Sequence, residues 1–232
     1  MKERGAQVAL LVMMVGVSVY LWNTLLLYPI KLFVVLLHEL SHGLAAVATG
    51  GEIVSIEVSE RIGGVCKDRG GNPLVVASAG YLGSLFWGGL ILVAAARTRA
   101  SRGIALTVVL VMMIATVLWI RNTFGVYYTA GFAIVLLLMS RYLPQWMLRL
   151  VLQFLGTASC LYVLVDIYED LIVVYQEGSD ADALMSLTEI PAVLWGILWG
   201  ALASARLGYS FYLAGTAKPR SAAENSEPDS GA

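Results

Sequence analysis

Charge is what this 232-residue chain has least of: Asp, Glu, Lys and Arg make up 13% of it, about half the share usual in a soluble domain. The formal net charge is -1 and no basic stripe runs along the sequence. Both facts exclude a polyanion-binding role, so no nucleic-acid partner is expected. Cysteine is scarce too. Cys66 and Cys160 stand far apart and form no Cys-x-x-Cys pair, which excludes a zinc ribbon. Nothing supports a disulfide between them, and each is accounted for as a small apolar packing residue. The chain has two histidines, four positions apart, and no Asp-Gly dipeptide. It contains no internal repeat and no segment polar enough for a second, soluble domain.

Apolar residues fill the space that charge leaves. They form 59% of the chain, and the mean hydropathy is +0.78, as in an integral membrane protein. Seven apolar runs can be marked out, about 7–27, 30–49, 73–96, 104–120, 126–139, 147–175 and 192–213. The first follows a basic start, Met1-Lys2-Glu3-Arg4, with no convincing small-residue cleavage site after it, and is expected to be a retained signal-anchor helix. The expected fold is an all-α polytopic membrane protein of about six or seven transmembrane helices. Residues 1–213 would be the membrane domain, and 214–232, rich in Ala, Ser, Pro and Glu, a disordered tail. With seven spans, the N-terminus, the segment 52–72 between the second and third runs, Arg121 and the acidic segment 176–182 would share one side of the membrane, a division that leaves the positive-inside bias weak. The expected location is a multi-pass membrane protein, with the plasma membrane of a bacterium as the default.

Between the second and third runs the pattern changes. Ile53, Ser55, Glu57 and Ser59 alternate with Val54, Ile56 and Val58. Gly63-Gly64, Val65-Cys66-Lys67 and Gly70-Gly71 follow. This period of two, punctuated by glycines, predicts a β-hairpin at the membrane surface. It is either a connecting loop or an edge that guides an extended peptide by strand addition. Small residues recur at Ser41, Ala45 and Thr49, and again at Gly80, Ser84 and Gly88, so the second and third helices are expected to pack closely along these stripes.

Both histidines lie in the second run, in Leu36-Leu37-His38-Glu39-Leu40-Ser41-His42-Gly43. Positions four apart share a helix face, so His38 and His42 can direct two imidazoles at one metal ion. Glu39 stands beside them as a candidate general base. Two imidazoles and a carboxylate are costly inside a membrane helix without a compensating interaction, which favours a metal site over a pair of packing histidines. A hydrolytic zinc site takes three protein ligands and keeps one position open. With histidine exhausted, a carboxylate must be the third ligand. Asp166, Asp170, Asp180 and Asp182 are the candidates. Asp166 lies deeper in its run than Asp170 and could instead pair with Arg121 or Arg149. Asp180 and Asp182 could equally serve the start of a short helix, which Ser179 or Asp180 would cap ahead of Pro191.

The motif helix, the glycine-rich hairpin and Ala79-Gly80-Tyr81-Leu82-Gly83 together resemble the M50B-like relatives of the site-2 proteases. The similarity extends through Trp119-Ile120-Arg121-Asn122-Thr123-Phe124-Gly125, through Cys160-Leu161-Tyr162 with Asp166, and through Ser179-Asp180-Ala181 ahead of Pro191 and Trp195. It covers nearly all of the chain except the tail. What the resemblance implies is an intramembrane zinc metalloprotease acting on membrane-protein substrates within the lipid bilayer. His38 and His42 would be Zn2+ ligands, Glu39 the catalytic base, and Asp180 the third ligand, because Ser-Asp-Ala is similar to the family pattern at the head of a late helix. The chain departs from the family in lacking the Asp-Gly pair and any PDZ domain. The competing expectation is a non-proteolytic membrane protein with a structural or metal-handling zinc site.

Overall fold

The computed structural model describes residues 2–168 and 179–216. Its helices are α1 (Lys2–Tyr20), α2 (Tyr28–Ala48), α3 (Pro73–Arg97), α4 (Ser101–Leu118), α5 (Thr123–Tyr142), α6 (Gln145–Tyr168), α7 (Asp180–Thr188) and α8 (Ala192–Gly215). A two-stranded antiparallel sheet, β1 (Glu52–Ser59) and β2 (Gly63–Arg69), lies between α2 and α3. The protein is an all-α polytopic bundle with the hairpin in its expected place. Among the described residues, five helices (α2 to α6) are long and apolar enough to cross a membrane. The remaining two long helices account for the higher number expected from sequence. α8 has spanning length but carries Arg206 within it, and α1 has only a shorter apolar stretch, Gly5–Tyr20. The chain leaves helix at Tyr20 and turns through residues 21–27 before Pro29 opens α2, so the first apolar run is not one helix.

α2 is the centre of the bundle: 67% of its spanning window is buried, against 22% for α4 and 28% for α5. Leu32, Phe33, Val34 and Leu36 are almost wholly enclosed, whereas α4 and α5 turn Leu110, Val117, Ile134 and Val135 outward. A helix apolar all round and covered by neighbours is a core element; one that shows half of an apolar surface has lipid for its other neighbour.

The small-residue stripe of α3 divides its contacts instead of meeting α2 along its whole length. A Cβ on Gly80 would collide with the His38 imidazole of α2, whereas one on Gly88 would stand 2.7 Å from the Ser159 Cβ of α6. Gly156 of α6 returns the contact, with the Gly88 carbonyl oxygen 2.7 Å from where its Cβ would be. α3 thus sits between α2 and α6, and two backbones approach where side chains are absent.

The N-terminal part of α1 lies at the end of the bundle where α3 and α8 finish. Leu11 and Met14 pack with Leu92, Ala96 and Ala214, and Val8 meets Gly215. At the same end the Arg97 guanidinium donates to the Leu213 carbonyl and to Thr216 Oγ1. This places the start of α1 with the α3–α4 loop, not with the open end of the hairpin, and corrects the sidedness that seven full spans imply.

The hairpin is not confined to the membrane surface either. It runs back along α2. Ile53 and Cys66 press on Gly43 near the C-terminal end, Gly64 meets Glu39, and the Tyr28 hydroxyl of the first turn donates to the Glu60 carbonyl at 2.8 Å. A bulge between Ile53 and Ser55 shifts the register, after which Ile56 pairs with Cys66 and Val58 with Gly64. Residues 169–178, with Asp170 and the first part of the acidic segment, and residues 217–232, nearly all of the expected tail, lie outside the described residues.

Candidate metal centre

One helical turn separates His38 from His42, and the two rings stand edge to face with centroids 4.8 Å apart. The third member arrives from α7. Ser179 caps this short helix by accepting from the Asp182 N–H at 3.3 Å, and Ala181 and Leu184 are fully buried as α7 packs on α3 and α8. That packing folds Asp180 into the bundle. Its Oδ2 lies 3.2 Å from His38 Nε2 and its Oδ1 3.2 Å from His42 Nε2. Among the described residues these three form a His–His–Asp group whose ligand atoms all lie within 4.8 Å of one another.

The donor set suits a zinc ion. Ligand atoms roughly 2.0–2.2 Å from a tetrahedral centre stand about 3.3–3.6 Å from each other; the two N···O separations, one to each Asp180 oxygen, are 3.2 Å, and the ligand atoms of the group all lie within 4.8 Å. His42 Nδ1 donates to the Val76 carbonyl at 2.7 Å, which leaves Nε2 as the bare nitrogen facing Asp180. Asp180 Oδ2 is buried, and its 3.2 Å ion-pair contact with His38 Nε2 lacks good hydrogen-bond geometry, an otherwise costly position for a carboxylate oxygen. A cation shared by the three side chains removes that cost.

Neighbouring residues fix the rings. Tyr81, 2% exposed, sets its edge against His38 with centroids 5.0 Å apart, and Trp199 backs Tyr81 at 5.2 Å. Gly80 leaves the space that His38 and Asp180 occupy. A Cβ there would fall on His38 Nε2 and lie 2.5 Å from Asp180 Oδ2. Gly80→Ala is therefore expected to weaken zinc binding by about 10–100-fold, as loss of outer-shell support does at other sites. A competition titration against a chelator checks this, and an unchanged affinity would mean that the helix yields at no cost.

Glu39 is 7% exposed and lies next to the group without belonging to it. Its carboxylate meets the outer edge of β2: the Cys66 backbone N–H faces it, and a Cβ on Gly64 would stand 2.7 Å from its Oε1. Only glycine at 64 lets the strand pass so near. Beyond this contact opens a cleft of about 500 Å³, lined by His38, Glu39, His42, Asp180, Gly63 to Cys66 of β2, and Asp166. Asp166 thus shares the cleft but is not one of the three grouped residues. Arg121, one of the partners that sequence offers it, turns its guanidinium onto the Val117, Leu118 and Ile120 carbonyls at the end of α4. Asp182 serves the first turn of α7. Burial pushes the Cys66 thiol up to about 12, with the Glu39 charge adding to the effect, so this cleft residue offers no thiolate. Cys160 is likewise free, and buried.

Sequence reasoning did not single out the Val76 carbonyl, the ring of Tyr81 as a wall for His38, or Gly64. A backbone acceptor carries no side-chain signal, and the latter two differ from their neighbours only by what folding brings against them.

Comparison with known proteins gives one match by family: the Peptidase M50B-like model matches residues 11–210. No curated protein and no solved structure matches the chain.

Proposed function

The chain belongs to the Peptidase M50B-like family, and from that premise we propose that it is an intramembrane zinc metalloprotease hydrolysing peptide bonds in or near transmembrane segments of other proteins. The observation that carries this reading is the position of Glu39, adjacent to the His38–His42–Asp180 group on one side and to the edge of β2 on the other. A metal-holding group needs no such base, and a structural zinc site closes all four positions with protein ligands. Here three residues are grouped, and a cleft large enough for a peptide backbone opens beside them.

In this reading His38, His42 and Asp180 hold the ion. Bound there, zinc would supply Lewis acidity and would lower the pKa of a coordinated water toward about 7. Glu39 would serve as the general base, holding a proton on its carboxylate and delivering it to the leaving amine nitrogen. Tyr81 and the Val76 carbonyl keep the imidazoles oriented. The outer edge of β2 binds the substrate in extended form, by strand addition. An unwound segment exposes its amide to the cleft, which a helical transmembrane segment does not, since its backbone groups are bonded internally.

The test is metal analysis and cleavage on the same purified sample. One zinc per chain is expected, with cleavage of a transmembrane-derived peptide that stops on chelation and returns when zinc is restored. A zinc-loaded protein that leaves such peptides intact would instead support the structural or metal-handling role.

A further inference from the structure

A hairpin has two edges, and an extended peptide could pair with either. The turn between α4 and α5 occupies one of them. Ile56 of β1 donates its N–H to the Trp119 carbonyl at 2.8 Å and accepts from the Arg121 N–H at 3.2 Å, making a short parallel bridge with Ile120. The Asn122 side chain then continues the ladder where backbone pairing stops. Its Oδ1 accepts from the Val58 N–H at 3.1 Å and its Nδ2 donates to the Val58 carbonyl at 2.7 Å. A side-chain amide presents an N–H donor and a carbonyl acceptor side by side, as a strand residue does, so Asn122 stands in for one residue of a third strand. Gly125 makes room for it, since a Cβ there would fall on Asn122 Oδ1. Ile56 and Val58 are both fully buried, so the bonds on this edge are shielded from competing water or lipid headgroups.

We infer that Asn122 is a positioning residue for the substrate strand: by filling the outer edge of β1 it leaves β2 as the one edge for pairing, and it holds that edge at Glu39. The inference rests on the peptidase reading above. Its physical content is narrower. A β1 anchored through Ile56 and Val58 fixes β2 through the pairs Ile56–Cys66 and Val58–Gly64, and these β2 residues are the ones that abut Glu39. Releasing Val58 lets the Gly64–Cys66 segment drift from the carboxylate and exposes a second edge on which a peptide can pair unproductively.

The probe is a fluorescently labelled, valine- and threonine-rich peptide about as long as β2, with its binding followed by anisotropy. The full zinc-loaded chain is used with Glu39→Gln, so that binding is read without turnover. Adding Asn122→Ala is expected to weaken binding about tenfold. Asn122→Asp, which keeps the acceptor for the Val58 N–H but loses the donor to its carbonyl, should fall between the two. Proline placed at successive positions of the peptide should weaken binding at alternate residues in the parent, because alternate N–H groups face β2. That alternation should flatten in the Asn122 variants, a change that a general loss of stability does not produce. Zinc content should be the same in all three proteins. Equal affinity with and without Asn122 would overturn the inference, as would a parent indifferent to proline position, or a zinc loss parallel to the binding loss. Failure of the peptidase reading looks different: the wild-type chain would bind the peptide with the alternating pattern and leave it uncut.

Discussion

Glu39→Gln is expected to lower the rate of peptide cleavage by about 10²–10⁴-fold, the range supplied by a positioned general base, and to leave the zinc content unchanged. The expectation follows from geometry. Glu39 lies outside the group formed by His38, His42 and Asp180, so the ligand set survives. Glutamine has the same shape, and therefore keeps the tight passage between the Glu39 side chain and Gly64. What it loses is the ability to take up a proton at neutral pH. The measurement is single-turnover cleavage of a transmembrane-derived peptide by the purified variant, with zinc counted on the same preparation. Full activity in this variant would remove Glu39 from the chemistry. A joint loss of activity and zinc would make it part of the metal site instead.

A second large effect should separate the carboxylates of the cleft. Asp180→Asn is expected to reduce zinc affinity well beyond the 10–100-fold typical of outer-shell changes, because an amide is a far poorer ligand and leaves the ion two histidines. Asp166→Asn lines the same cleft but stands outside the group, and should stay within that range. Competition with a chelator of known affinity, run on both variants side by side, decides the matter. If Asp166→Asn lost zinc while Asp180→Asn kept it, the ion would be held by a different triad from the one grouped in the structure. The pair of variants also bears on the missing Asp-Gly dipeptide. Asp180 is followed by Ala181, whose side chain is fully buried as α7 packs into the bundle. A methyl group accommodated at that point gives a physical reason why glycine is not required after the aspartate here.

Much of the architecture can be read directly from residue patterns. Apolar runs of spanning length anticipate α2 to α6, and alternation with flanking glycines anticipates β1 and β2 to within a residue or two. These signals are local: each depends on periodicity within a single element. The first run was misleading at its end, where Asn23 and Thr24, which favour a turn, stand among apolar residues ahead of Pro29. The small-residue stripe of α3 is a close-packing surface, as expected, but it was matched to one partner, when Gly80 serves α2 and Gly88 serves α6. A stripe says that a backbone can approach. It does not say whose.

At the candidate site the division is sharper. The sequence by itself determined that His38 and His42 share a face and that Glu39 stands beside them, because a helix of 3.6 residues per turn imposes this whatever surrounds it. It also pointed to a carboxylate as the expected third group, since the chain has no other histidine and no cysteine pair. Which carboxylate lies against the two histidines, and at what depth, was decided only by the tertiary structure. Asp166 and Asp180 are equally plausible from their helices alone. Asp180 is the one brought to His38 and His42, because Ala181 and Leu184 bury α7 in the bundle and because Gly80 of α3 leaves the space that the three side chains share. The approach of β2 to Glu39 was decided in the same way, by the anchoring of β1 to Asn122 across a distance in sequence that no local pattern spans. Helical periodicity acts over a few residues; the closing of a carboxylate and a strand edge onto that helix depends on which surfaces have room for one another.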